Sequence, residues 1–485
     1  MPQTITASRF IAMAFASLVS LAAGAQTGSF PATREAADSQ AAWRVGSRLG
    51  YAPTPASAAA AGAAPTSWAL QQVDAAYAAS RQPAAIPPEL AHINASMADI
   101  ARGIQAEREA RKILRVQALA SDAAKVPLPA ADVRIQAFSR SMAQDAAAWR
   151  VMSCSDPALE NPLLARMTEF WFNHLNVFVG KGPIRALVGH YVVNVIRANA
   201  LGRFDDLLMA SAKHPAMLFY LDQAQSNSRG LNENYARELM ELHTLGVGGG
   251  YTQNDVHELA RILTGWTANL PGGEGFRFAE RLHDRDSKLF LGRSYLNEGV
   301  KEGEDAIRFL AHQPATAHRV AERLATFFVA DKPPAALVRR LETTFLTSLG
   351  DIRAVMHVLV ASPEFWAADS PLFKTPMDFA CSALTVAGGV KDRRDITQAL
   401  GFLAQSGQPM HGWPTPDGYK TDAATWLAPE ALTRRADFAM GLAQRIAEPA
   451  YLNAFLSSAT QERIAREPAR MRTGLMLASP DFMRK

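Results

Sequence analysis

The chain has 485 residues, of which 48% are hydrophobic, 20% charged and 8% aromatic, with a formal net charge of +4 and two cysteines. This composition excludes a coiled coil, a wholly disordered chain and a disulfide-stapled mini-domain, and it leaves enough chain for a large core. Fifty basic residues against 46 acidic ones give no electrostatic footprint for nucleic acid, and no run of about 18 apolar residues would permanently span a membrane.

The first 25 residues read as an export signal. Arg9 and the amino terminus supply a thin positive end, Ile11 to Ala23 is a short apolar stretch, and Ala23-Gly24-Ala25 offers the small residues a signal peptidase reads. The alternative is an apolar N-terminal helix of the mature protein. In an exported chain Cys154 and Cys381 could pair, but their wide separation says nothing about closeness in space, so the bridge stays open.

Pro53 to Pro65 is alanine-rich, and its three prolines and Gly62 predict an irregular connection. From Ser67 onward the pattern is helical, placing the chain in the all-α class as a multi-helix array. Apolar residues recur at three- and four-residue spacings over Ile100–Val116, Met167–Phe178, Ile184–Ala198, Phe204–Ala212, Leu231–Leu245 and Val256–Trp266. They do so again over Thr316–Val329, Ala335–Thr347, Ile352–Val360, Met377–Ala387 and Pro429–Ile446. Thr252 with Asp255 predicts a capping box, and Ser362-Pro363-Glu364 and Ser479-Pro480-Asp481 predict two helix starts. The single strand signal predicts a minor β-hairpin near 275–291, with Gly275–Phe278 facing Lys288–Leu291 around His283-Asp284.

The densest polar stretch is Leu231–Leu245, LNENYARELMELHTL. Stepped at about 100° per residue, Glu238 lies in the apolar stripe, with Asn234 and Glu241 on its flank and His243 well away from it. Arg237 and Glu241, four apart, can pair along the surface. A carboxylate in an apolar stripe needs a partner, so Glu238 is a candidate acid or base, with a structural ion pair as the blander alternative. In Met167–Val179, MTEFWFNHLNVFV, apolar residues cover nearly every side, so His174 reads as a core histidine with Asn173 beside it. Glu238 and His174 are expected to face one interior polar site, since a buried carboxylate accepts what a buried ring donates.

The stretch shows ExxE but no ExxH, and His190, His214, His257 and His283 have no paired spacing, so no metal is assigned and no cofactor is named. Gly407–Tyr419, GQPMHGWPTPDGY, has no period and carries Met410, His411, Trp413 and Tyr419, with Trp426 soon after. Rigid aromatics on an irregular segment suit a binding platform, Trp413 and Tyr419 above all; the alternative is a loop pinned onto helices.

These residues also carry a resemblance. MTEFWFNHLNVF, KHPAMLFYLD at Lys213–Asp222 and the long GLNENYARELMELHTLGVGGGYTQNDVHELARILTGWT at Gly230–Thr267 resemble the bacterial family called domain of unknown function 1800. HQPATAHRVAERLATFFV, ASPEFW, GQPMHGWPTPDGY, the terminal LASPDF and the opening RLGYAPTP extend the likeness over nearly all of the mature chain. Ala52 stands where many relatives carry glycine, and His243 where many carry phenylalanine, which speaks against a family-wide catalytic role for His243.

The resemblance implies a helical, exported bacterial protein over 26–485, with a C-terminal subdomain from about residue 370 as one option. It implies no established reaction. It also implies a partner, because members are often encoded beside a second exported family, domain of unknown function 1501, similar to alkaline phosphatases and sulfatases. The expected function is therefore an envelope accessory protein acting with a sulfatase-like partner. The alternatives are a hydrolase or other enzyme near Glu238 and His174, or a binding module using the aromatic loop.

Overall fold

Helix-start chemistry sets much of the architecture. In the computed structural model, residues 34–120, 137–367 and 372–485 are described, and the export-signal reading of residues 1–25 falls outside them. The helices that position the site are α1 (Arg34–Leu49), α2 (Phe138–Ser155), α3 (Pro162–His174), α4 (Ile184–Tyr191), α5 (Asn234–Glu238), α6 (Gln253–Ile262), α7 (Pro314–Phe328), α8 (Pro376–Val386) and α9 (Arg393–Gln405). None of the described helices is long and apolar enough to cross a membrane.

α2 is the hub, packed against α3, α4, α8 and α9. It carries the fully buried Trp149, whose indole donates to the Ala85 carbonyl at 2.9 Å, so the ring is buried without stranding its N–H. Trp171 on α3 solves the same problem by donating to the Ala200 carbonyl at 2.8 Å. α3 is buried along nearly its whole length, as its all-round apolar sequence requires. Cys154 on α2 and Cys381 on α8 form a disulfide, which resolves the pairing that the sequence left open.

Three local expectations are corrected. Pro53–Pro65 is helical, because Pro55 and Pro65 each occupy the first turn of a helix, Pro55–Ala63 and Pro65–Ser80, where a proline nitrogen loses nothing. Thr54 closes a capping box with Ser57 at the first of them. Ser479-Pro480-Asp481 makes a turn rather than a helix, with Ser479 Oγ accepting from the Phe482 N–H.

The predicted hairpin is in fact two. Strand β1 (Trp266–Asn269) pairs antiparallel with β2 (Gly275–Phe278), and β3 (Lys288–Phe290) pairs antiparallel with β4 (Arg293–Tyr295). Leu291 and Gly292, both at positive φ, form the two-residue turn that a tight hairpin favours, so Lys288–Phe290 folds onto the chain after it. His283 is instead buried against Thr264, its Nδ1–H donating to that carbonyl at 2.9 Å. By contrast, the Thr252–Asp255 capping box and the Ser362 cap form where the sequence places them.

Candidate functional site

The irregular segment 407–422 lies over the end of α3 and is fixed there through its backbone. Asn173 is its main clamp, with the amide nitrogen donating to the Tyr419 carbonyl at 2.9 Å and the amide oxygen accepting from the Tyr419 N–H at 2.5 Å. Asn176 donates to the Trp413 and Thr415 carbonyls, the Val179 N–H donates to the His411 carbonyl, and the Tyr220 hydroxyl donates to the Pro414 carbonyl. Trp413 and Tyr419 pack in a tilted pair with ring centroids 5.0 Å apart, and the Trp413 indole donates to Asp417. An irregular loop held at this many points is a rigid wall.

Beneath that wall is a chamber of about 40 Å³. Phe172, Phe327, Met377 and Met410 form its apolar sides, and Arg150, Glu169 and His411 bring ionisable groups to it. His411 is buried, sits at φ +55°, packs at a tilt against the Phe172 ring, and has neither ring nitrogen hydrogen-bonded among the described residues. Burial, with Arg150 nearby, holds its imidazole down to about 3. Glu169 receives the Tyr51 hydroxyl at 2.7 Å and Arg166 at 3.0 Å, and burial raises its carboxyl above the usual range despite Arg166. Arg166 also pairs with Asp378, which in turn takes the Lys485 ammonium. Burial favours the neutral acid at Asp378, but those two cations outweigh it and hold the carboxyl below its ordinary value.

Asn173, Phe327, Tyr419 and Thr421 line both this chamber and an outer cleft of about 290 Å³. The cleft adds Arg323, Glu322, Lys420 and Asp417. Burial and neighbouring Arg319 bring the Arg323 guanidinium down to about 10.

Glu238 and His174 do not pair. His174 donates from Nε2 to the His243 carbonyl at 3.0 Å, its Nδ1 has no partner, and its ring lies among Phe170, Trp171, Phe204 and His243. Burial, with Arg323 and Arg319 behind it, keeps the imidazole neutral. Glu238 is only half-buried, its carboxyl raised by burial and by Glu241. α5 ends at Glu238, Leu239–His243 continue it as a π-helix, and the buried face of the pair carries Tyr235, Ala236, Leu239, Met240 and His243. Those positions keep the three- and four-residue spacing of one helix face, and Glu238 lies off it. An apolar stripe drawn from Leu231 to Leu245 misplaces Glu238, because Leu231 and Leu245 lie outside the helical residues 234–243 and Leu242 is only partly buried.

The other expected residues are peripheral to the chamber. Asn234 donates to the Leu221 carbonyl at 3.3 Å. Arg237 bonds Glu233 and Gln253, and it reaches Glu241 at 3.8 Å, the pair anticipated from the spacing. Among the described residues no group of three His, Cys, Asp or Glu side chains is arranged to hold a metal.

Residues 44–484 match the family described as Protein of unknown function (DUF1800). The chain belongs to the DUF1800 family. No curated protein and no solved structure matches it.

Sequence reasoning missed the residues that make this DUF1800 chamber polar. Arg166 and Glu169 are three apart on a helix whose other positions are almost all apolar, a spacing that marks them as a pair. Arg150 carries no such signal, because its neighbours come from α3, α8 and the 407–422 loop, far away in sequence. His243 was set aside by the wheel, yet it is a fully buried aromatic whose Nε2 has no partner.

Proposed function

We propose that this DUF1800 protein is an exported bacterial binding protein that seats a small ligand in the chamber beneath the 407–422 loop, with the outer cleft as its approach. The observation that carries the reading is the Asn173 clamp: both ends of its amide are spent holding the Tyr419 backbone, so the wall common to chamber and cleft is already built. A site whose walls need no ordering keeps more of its contact energy as affinity. The separation of Glu238 from His174 favours binding over acid–base chemistry at that pair.

The Cys154–Cys381 disulfide supports export, since such bonds persist in oxidising compartments. The accessory role beside a sulfatase-like partner of the domain of unknown function 1501 type belongs to the same proposal. Exposed Leu289 and Leu296, on and just after the β3–β4 ribbon, offer such a partner an apolar contact. Co-purification of tagged protein with that partner, lost on Leu289→Lys with Leu296→Lys, is the check on that arm.

The ligand seat is tested by native mass spectrometry of protein recovered from its exporting host. Wild type is expected to carry a small bound mass that Met410→Trp, which fills the chamber, does not carry. A folded wild type without bound mass, or the same mass on both proteins, overturns the seat.

A further inference from the structure

Arg150 on α2 is only 3% exposed, and it lines the chamber. Among the described residues its one hydrogen bond runs from Nη2 to the Ala165 carbonyl, at a stretched 3.5 Å. No described carboxylate forms an ion pair with it; Glu169, the acid in the same chamber, is taken by Arg166 and Tyr51. The surrounding layer is short of negative charge. Arg150, Arg166, Lys374, Arg435 and Lys485 are buried there, against the carboxylates of Asp378 and Glu169. A guanidinium buried without a counter-charge is costly, and an anion reaching its N–H groups through the chamber would offset part of that cost.

We propose that the chamber binds the carboxylate group of a small organic acid against Arg150. This deepens, and rests on, the reading of the chamber as the ligand seat. A planar carboxylate matches the guanidinium fork, and the remaining walls (Phe172, Phe327, Met377 and Met410) suit a carbon body rather than further polar groups. Size agrees: about 40 Å³ accommodates roughly three water-sized groups, an acetate or the acidic tip of a longer molecule whose body lies in the cleft. Asn173 and Tyr419, on the wall between chamber and cleft, would flank that tip.

The test compares acetate, acetamide and sulfate by thermal unfolding of the full chain, each against chloride at equal ionic strength. Acetate at a hundredfold excess over its dissociation constant is expected to raise Tm by about 3 °C, acetamide to leave it unchanged, and sulfate to raise wild type and Arg150→Gln alike, through its exclusion from protein surface. Arg150→Gln is expected to fold and to lose the acetate response, as is Met410→Trp. Acetamide acting as well as acetate, with Met410→Trp abolishing both, overturns the anion and leaves the seat standing. Sulfate acting in place of acetate, on wild type but not on Arg150→Gln, overturns the carboxylate, and no response to acetate or acetamide overturns the proposal, while the bound-mass experiment judges the seat separately. Should Arg150→Gln fail to fold, the acetate-against-acetamide contrast in wild type decides.

Discussion

Gly418 lies so close to Asn173 that a Cβ added to it would meet the Asn173 carbonyl oxygen at 2.1 Å and the side-chain oxygen at 2.5 Å. The glycine is also at φ +73°, a conformation that side chains disfavour. Both constraints act at the point where the loop wall is clamped onto α3. Gly418→Ala is therefore expected to displace Tyr419, lower stability by about 2 kcal/mol or more, and abolish the bound mass. Chemical denaturation and native mass spectrometry on one preparation check this; an alanine variant with wild-type midpoint and ligand would contradict the clamp.

His174 and His243 make opposite predictions although they touch. His243 leaves Nε2 unbonded in an apolar setting, and His174 needs only its backbone carbonyl. His243→Phe removes the stranded nitrogen and keeps the acceptor, so stability should hold or rise by about 1 kcal/mol. His174→Phe strands the buried carbonyl and should cost about 1–3 kcal/mol. Urea midpoints of the two variants, measured side by side, check the contrast.

Sequence periodicity located most of these helices because each exposes a clear stripe and a cap; Thr252–Asp255 and Ser362 show the caps working locally. It failed at Glu238 because Leu231 and Leu245, the ends of the stripe that enclosed it, lie outside the helical residues 234–243. The strand partners were misjudged because Leu291-Gly292 is a weaker turn signal than Asn-Gly, although its geometry is the same. The chamber was only half legible. The aromatic loop stood out by composition, but Arg150 reaches it across a helix packing that one-dimensional spacing does not encode.

The disulfide joins α2 to α8, two of the elements that carry chamber residues: Arg150 lies on α2, and Met377 on α8. Closing so long a loop restricts the unfolded chain, so replacing Cys154 and Cys381 by serine is expected to destabilise by about 2–5 kcal/mol. Denaturant midpoints of oxidised wild type, reduced wild type and the double variant check it. The last two should agree, and a reduced protein as stable as the oxidised one would refute the expectation.

Glu238→Gln separates the observed arrangement from a buried acid–imidazole pair, whose loss would cost about 3–5 kcal/mol. Glu238 is half-buried beside the like charge of Glu241, and Arg237 offsets this only in part. Removing its charge relieves repulsion in a place that solvent still screens. The expected change is within about 0.5 kcal/mol of zero, on the stabilising side, as read from equilibrium unfolding.

Acid should weaken the protein through its histidines before most carboxylates titrate. His174, His214, His243 and His411 are fully buried, and burial first, then neighbouring positive or imidazole groups, holds all four below the ordinary value; His243 and His411 are held down to about 3. An unfolded histidine takes its proton near pH 6.5. Below that pH the unfolded chain binds more protons than the native one, so the stability that neutral imidazoles provide is complete above about pH 6.5 and is lost progressively as pH falls toward the native values. Each such histidine contributes a slope of about 1.4 kcal/mol per pH unit over that interval. Urea midpoints between pH 7 and 4.5 should fall steeply, and His243→Phe should reduce the slope by one proton's worth. A midpoint that stays flat from pH 6.5 to 5 would show that these rings take up protons in the native state, contrary to their burial.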